Sequence, residues 1–311
     1  MRGIDSLQAY QEQRIKVMNK NIYIIIAAIL LLGGVYLLSS RINEPQTVVQ
    51  SHRSYNLEII SDTGEIKPGE PYFLRYRIRN DLGKILKDFE IVHEKIMHLI
   101  IVRKDLEEFQ HLHPEFSSKD GEFSINVILP ADGPYRLFPD FTPGKDAQNP
   151  QLLPVTLFAD LAVGNAKNFK GAPIAPDTAR KTLGDYQITF SPLKEMRAQE
   201  SVTYSLNIKK DGKEVTDLET YLGAFGHSVI LRADTLDFIH THAESHMMDM
   251  NAMDHENMEE AMRMMENSGP DISFETVFPQ AGVYKVFTQF QHEVKVLTVD
   301  FVVEVKNGNA F

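Results

Sequence analysis

An uncharged apolar run at residues 22–38 is close to the length, about 17–25 residues, that a helix needs to cross a bilayer. Arg14, Lys16 and Lys20 precede it, and the positive-inside rule assigns such a basic flank to the cytoplasm. We therefore expect a cytoplasmic lead at 1–21, a transmembrane anchor and an exported remainder. A cleaved signal peptide is the alternative, but the lead is long and no small-x-small cleavage site follows the run.

After a polar spacer at 39–54, apolar and polar residues alternate in short stretches bounded by turn residues, which is typical of β-strands. The clearest examples are Tyr72–Ile78, Met97–Val102, Phe123–Leu129, Val202–Ile208, Val229–Leu231 and Val296–Val305. Between residues 164 and 183, prolines and glycines occur without periodicity, so we predict a linker there.

The two sides of this linker are copies of one domain. A shift of 129 residues superposes Phe109 on Phe238, and a shift of 149 superposes Tyr135 on Tyr284. The difference between the shifts is an insertion of 20 residues in the second copy. The chain therefore carries an internal repeat.

Each copy has roughly the length and strand number of an immunoglobulin-like sandwich, about 100 residues and seven strands. The predicted fold is all-β, with two tandem immunoglobulin-like β-sandwiches, at 55–163 and 184–306, after one N-terminal transmembrane helix. The insertion at 243–270 belongs to the second sandwich. Tyr135 and Tyr284 each follow a Gly-x pair and are predicted to form tyrosine corners, in which the hydroxyl bonds back to the preceding turn.

Three histidines recur with the same spacing in both copies. They are His98, His111 and His113 in the first and His227, His240 and His242 in the second. A hairpin with a four-residue loop would pair His98 with His111 and His227 with His240, which places three imidazoles together at the rim of the core-facing row of each sandwich. Three neutral imidazoles suit copper, zinc or nickel. The alternative is a hydrogen-bonded histidine network that closes one end of each sandwich.

The insertion favours copper among these metals. Eight of the chain's twelve methionines lie between Met247 and Met265, and thioether sulfur selects Cu(I). The predicted ligands of this segment are His246, Met247, Met248, Met250, Met253, His255 and Met258. An amphipathic helix with methionine as core filler is the alternative, but no Leu, Ile or Val shares the segment.

The amino-acid composition and net charge exclude several other classes of function. The chain has no cysteine, which excludes disulfides, thiolate sites and blue-copper centres, so soft-metal ligands must come from Met and His. A net charge of −11 argues against nucleic acid as a partner.

The segments EKIMHLIIVRKDLEEFQHLHPEF, FGHSVILRADTLDFIHTHAE and FPQAGVYKVFTQFQ resemble the YtkA-like family of bacterial exported immunoglobulin-like domains. This resemblance covers about residues 55–305 and implies copper or heavy-metal handling. The Met- and His-rich insertion separately resembles the metal-collecting stretches of periplasmic copper-resistance proteins.

Together these features predict a non-catalytic copper-binding protein, a chaperone, buffer or delivery module, anchored in the bacterial inner membrane with a cytoplasmic N-terminus and periplasmic domains. Cu(I) is expected at the insertion and Cu(II) or another divalent ion at the histidine clusters, with transfer to an envelope protein partner. The alternative is an envelope scaffold or protein-interaction module with structural histidines. A metalloenzyme, for instance a copper oxidase, is a third class, for which the sequence offers little beyond the histidines.

Overall fold

The computed structural model of the protein describes residues 54–61, 64–145, 151–171, 173–243 and 269–308. Among these residues no helix is long and apolar enough to cross a membrane. The predicted anchor at 22–38 lies outside the described part of the chain, as does most of the 243–270 insertion.

The first repeat consists of two antiparallel sheets. Its strands are β1 (Tyr55–Ile59), β2 (Pro71–Asn80), β3 (His98–Arg103), β4 (Phe109–Leu112), β5 (Glu115–Ser117), β6 (Glu122–Ile128), β7 (Gly133–Phe141), β8 (Val155–Thr156) and β9 (Ala159–Val163). The outer sheet has the order β1-β2-β6-β5, and the inner sheet has the order β4-β3-β7, with β8 and β9 both paired to β7.

The second repeat has the same plan after a 3₁₀ turn at Ala166–Asn168. Its strands are β10 (Arg180–Leu183), β11 (Tyr186–Pro192), β12 (Ser201–Lys210), β13 (Lys213–Glu214), β14 (His227–Arg232), β15 (Phe238–His242), β16 (Asp271–Val277), β17 (Gly282–His292) and β18 (Lys295–Val305). The outer sheet is β10-β11-β12-β13 with β16 also paired to β12, and the inner sheet is β15-β14-β17-β18. The all-β prediction is confirmed for the described residues.

Each sandwich buries its own apolar core between its two sheets, because alternate side chains of a strand point to opposite faces. Leu74 and Tyr76 of β2 meet Leu99 and Ile101 of β3 in the first core. Both tyrosine corners are confirmed: Tyr135 donates to the carbonyl of Ala131 at 3.0 Å, and Tyr284 donates to the carbonyl of Gln280 at 2.8 Å.

The end of the predicted linker is a strand. Residues 180–183 pair with β11, with Leu183 opposite Tyr186, so the second sandwich begins four residues before the predicted boundary. The alternation in this stretch is too short to have distinguished an edge strand from a loop.

The predicted hairpin register is wrong by two residues. Val102 pairs with Phe109 and Leu231 with Phe238, and the N–H groups of Arg103 and Arg232 donate to the carbonyls of Glu108 and Asp237, so each loop has four residues but begins one residue later than predicted. Ile100 is then opposite His111, and Val229 is opposite His240. In each loop one leucine adopts a positive φ of 61° and is buried, Leu106 in the first loop and Leu236 in the second. A shift of two residues leaves every side chain on its original face.

The face that carries the histidines does not belong to the core of either sandwich, in contrast to the prediction. Ile100 and Val102 of β3 pack with Val229 and Leu231 of β14 in a separate apolar cluster. The inner sheets of the two repeats therefore pack face to face. The side chains on the face of β3 that begins with His98, and on the face of β14 that begins with His227, lie between the two sheets.

This interface has an approximate two-fold symmetry built from equivalent residues of the repeats. Phe109 stacks on Phe287 with ring centroids 4.3 Å apart, and its counterpart Phe238 stacks on Phe138, the counterpart of Phe287, at 5.1 Å. The repeats thus associate through the same patch on each partner, as the subunits of an isologous dimer do.

Candidate metal centre

The strand ends of the inner sheets position the histidines. His98 and His227 are the first residues of β3 and β14, His111 and His240 lie on the neighbouring strands, and His113 and His242 follow two residues further on. In the second repeat His227 is directly paired with His242. Each set of three offers ring nitrogens that all lie within 4.8 Å of one another, as predicted from the spacing.

In the first triad, which comprises His98, His111 and His113, the ring nitrogens converge on His98. Its Nδ1 lies 3.0 Å from Nε2 of His111 and 3.3 Å from Nε2 of His113. His98 and His111 are buried, with exposed fractions of 4% and 8%. Water is therefore largely excluded from the point where the three nitrogens meet.

Hydrogen bonds on the far side of two of these rings fix their tautomers. His98 donates from Nε2 to the carbonyl of Val92 at 3.0 Å, so in the neutral ring Nδ1 carries the lone pair. Gln289 donates its amide N–H to Thr298 and therefore presents its oxygen to Nδ1 of His111, at 2.7 Å. The lone pair of His111 is then on Nε2. Two lone pairs at 3.0 Å repel each other unless one nitrogen is protonated or both bind the same cation.

The second triad, which comprises His227, His240 and His242, has the same arrangement. His227 donates from Nε2 to the carbonyl of Tyr221 at 2.8 Å, and His240 donates from Nδ1 to Asp140 at 2.8 Å. The remaining nitrogens, Nδ1 of His227, Nε2 of His240 and Nε2 of His242, are buried and have no hydrogen-bond partner among the described residues. Such unpaired buried nitrogens require an explanation, and an unseen ion is one that this donor set fits.

The triads are electrically neutral at physiological pH. Burial, with a further contribution from neighbouring imidazoles, lowers the pKa of all six histidines. It lowers the pKa of His113 to about 3 and that of His227 to about 4. Neutral imidazole is the form that binds a metal, so protons do not compete for these lone pairs at neutral pH.

The two triads belong to one cluster. The rings of His98 and His240 are 5.6 Å apart between centroids, those of His111 and His240 are 5.8 Å apart, and those of His111 and His227 are 6.3 Å apart. A cleft of about 440 Å³, lined among others by His98, His240, His242 and Asp140, opens onto the cluster. An ion therefore has a route from solvent to the buried nitrogens.

Three polar residues of this cluster are not predicted by the sequence pattern. Asp140 and Gln289 are equivalent in the two repeats, and each accepts a hydrogen bond from the middle histidine of the other repeat. His93 stacks on His242 with ring centroids 3.5 Å apart and lies 5.3 Å from His227. Comparison of the repeats could not indicate His93, because its counterpart is Leu222.

The other predicted ligands lie outside the described residues. They are His246, Met247, Met248, Met250, Met253, His255 and Met258. The last described residue before them is Ala243, which follows His242 directly. The Met- and His-rich insertion at 243–270, called the Met/His segment below, therefore begins directly after the last histidine of the second triad.

Three imidazoles with converging lone pairs match the donor set of a Cu, Zn or Ni ion. An ion at about 2.0–2.1 Å from each nitrogen in a tetrahedral arrangement holds those nitrogens about 3.3 Å apart. The nitrogens of the first triad lie at 3.0 and 3.3 Å from Nδ1 of His98 without an ion. Two of the three nitrogen pairs in this triad are therefore close to the spacing that an ion requires.

The described chain is thus a pair of β-sandwiches with a histidine cluster between them. It belongs to the family of the domain of unknown function DUF8832, whose model matches residues 52–153 and 181–307. The two matched ranges fall on the two repeats. No curated protein sequence matches the chain.

Among solved structures, the Escherichia coli adhesin FdeC superposes with a TM-score of 0.25 and 11% identity over 83% of this chain and 65% of that chain. Salmonella alpha-2-macroglobulin reacted with methylamine gives 0.23 and 10% over 82% of this chain and 15% of the other. The D00-D0 domain of intimin gives 0.19 and 8% over 79% and 98%. The chain spans less than two thirds of the first two. All three TM-scores are below 0.5, and the two-sheet architecture of each repeat is defined by its own strand pairing.

Proposed function

We propose that the protein is a non-catalytic copper-binding protein, a chaperone, buffer or delivery module on the outer side of the cytoplasmic membrane. The observation that carries this proposal is that two ring nitrogens in each triad carry inward-facing lone pairs, because hydrogen bonds fix the opposite edge of those two rings, and that the third ring lies against them. Such outer partners orient metal-binding imidazoles in known sites. A purely structural histidine network would use its ring nitrogens to pair with one another or with other polar groups.

Copper is favoured over zinc and nickel by the Met/His segment at 243–270, which supplies thioether ligands for Cu(I). The segment follows His242 directly in sequence, so an ion captured there has a short path to the second triad. The hydrophobic run at 22–38 supplies the membrane anchor in this proposal, and an envelope protein is the acceptor of the ion. The resemblance to the YtkA-like family and the immunoglobulin-like plan of the sandwiches agree with this assignment.

Copper titration of the full-length chain tests the proposal, with Cu(I) under reducing conditions and Cu(II) under oxidising conditions. We expect dissociation constants below about 1 µM for both. Deletion of 244–268 should remove most of the Cu(I) capacity and leave the Cu(II) capacity of the triads. Absence of binding at micromolar copper would favour an envelope scaffold with structural histidines, and copper-dependent oxidation of phenols would favour an enzyme.

The matched control is His292, a buried histidine outside the cluster. Its ring is hydrogen-bonded to Tyr186 at 2.8 Å and to Asp217 at 3.1 Å, and its exposed fraction of 5% matches that of His98. His292→Ala should leave copper binding unchanged, whereas His242→Ala should reduce it. Equal losses in both variants would mean that any buried histidine affects binding through stability alone.

A further inference from the structure

The two triads are close enough to act as one centre. Ring centroids within the first triad are 4.9–5.3 Å apart, and those that cross from one triad to the other start at 5.6 Å. Two ions, one on each triad, would therefore be close neighbours inside the interface of the inner sheets.

Each triad depends on the opposite repeat for its orientation. The ring of His111 in the first repeat is held by Gln289 of the second, and the ring of His240 in the second repeat is held by Asp140 of the first. Asp140 is itself fixed, because Thr156 donates to its other carboxylate oxygen at 2.8 Å. Its side chain is 13% exposed, so its charge is only partly screened by water.

The chemical difference between these two partners makes the sites unequal. An anionic carboxylate that accepts from the outer N–H of a ligating imidazole raises the basicity of the ligating nitrogen, and its charge attracts a divalent ion. The neutral amide of Gln289 provides the same orientation without the charge. The second triad should therefore bind a divalent ion more tightly than the first.

Resting on the proposed copper binding, we propose that the chain holds two ions side by side between its repeats, and that Asp140 makes the second triad the tighter site for a divalent ion. Asp140 and Gln289 are positioning residues in this centre, since both act through a ligand and not on the ion itself. The residues of the interface between the repeats then surround the metal centre.

Titration of the full-length chain with Cu(II), followed by electron paramagnetic resonance, tests this inference. We expect two ions per chain in addition to those of the Met/His segment, bound in two steps, with a magnetically coupled spectrum once both sites are filled. A parallel series with His246→Asn and His255→Asn removes the imidazoles of that segment from the count. The coupled spectrum reports the proximity of the ions, which a change in stability alone would not produce.

Isosteric variants assign the steps to the triads. Asp140→Asn should weaken the tighter step about 10–100-fold and leave the weaker step unchanged. Gln289→Glu should tighten the weaker step about 10-fold, which also covers the case in which the Asp140 variant folds poorly. Asp160→Asn, on the same sheet and paired with Arg136, is the control and should change neither step.

The outcomes separate the two proposals. A single triad-bound ion per chain, two ions without coupling, or equal effects of Asp140→Asn on both steps would overturn the paired and unequal centre while leaving copper binding intact. Absence of any bound copper would instead overturn the proposed function itself.

Discussion

In the first repeat His111 donates to the amide oxygen of Gln289, whereas in the second repeat His240 donates to the carboxylate of Asp140. In both triads the first histidine donates from Nε2 to a backbone carbonyl, and the middle histidine donates from Nδ1 to a residue of the opposite repeat. The difference lies in residues supplied by the opposite repeat. The two repeats therefore carry the same three histidines but hold the middle one with chemically different partners.

The surroundings of the triads differ in two further respects. His93 of the first repeat lies at the tip of a tight turn and stacks on His242 of the second, whereas its counterpart Leu222 carries no such ring. After the third histidine, the first repeat continues at Pro114 into β5, and the second enters the Met/His segment. His93 and the Met/His segment both adjoin His242 of the second triad, in space and in sequence respectively, which supports the proposal that copper capture takes place near that triad.

The largest expected effect comes from breaking the interface that both triads share. Phe287→Ala and Phe138→Ala remove buried rings of the two equivalent stacks, and each should lower the free energy of unfolding by about 3–5 kcal/mol. Chemical denaturation measures this loss. The exposed Phe73→Ala, on an outer sheet, is the control and should cost much less. Losses below about 1 kcal/mol for the two buried rings would argue that the repeats do not depend on this contact.

The next effect separates the two triads. His113→Ala should lower the affinity of the first site for Cu(II) by more than about 100-fold, since loss of a ligand exceeds the 10–100-fold effect of an outer partner. His242→Ala should do the same for the second site only. Titration of each variant measures which step disappears. Loss of both steps in either variant would mean that the six histidines hold a single ion.

The tyrosine corners provide a comparison that leaves the metal centre untouched. Tyr135→Phe and Tyr284→Phe each remove a hydroxyl that bonds to the preceding turn, and each should lower stability by about 1 kcal/mol. Thermal unfolding with and without Cu(II) measures the loss, and the stabilisation by Cu(II) should stay the same. A change in that stabilisation would indicate that the corners help to position the triads.

The smallest effect is expected from His93→Leu, which installs the residue of the second repeat. The stack on His242 is lost, and an aromatic pair contributes about 0.5–1.5 kcal/mol. We expect the affinity of the second site for Cu(II) to fall about threefold, measured by competition with a chelator, while the first site is unchanged. A loss of 100-fold or more would show that His93 binds the ion directly.

Sequence alone determined the strand pattern, the internal repeat and the grouping of the six histidines. The strand face predicted for these histidines is correct despite the two-residue error in register, because the side-chain period of a strand is two. The two loops contain Leu106 and Leu236 at positive φ, a conformation of leucine for which the sequence has no local signal. The sequences of the strands HLIIVR and HSVILR indicate such an interface, because strands that are apolar on both faces are typical of sheets covered on both sides.

Only the tertiary structure decided what the histidines face and what holds them. His111 and Gln289 are 178 residues apart, and His240 and Asp140 are 100 residues apart, so no local pattern connects them. Their contacts exist because the inner sheets pack together through Ile100, Val229 and the stacked phenylalanines. Packing of distant surfaces depends on the shape of both partners, and it converted two separate predicted clusters into one candidate centre between the repeats.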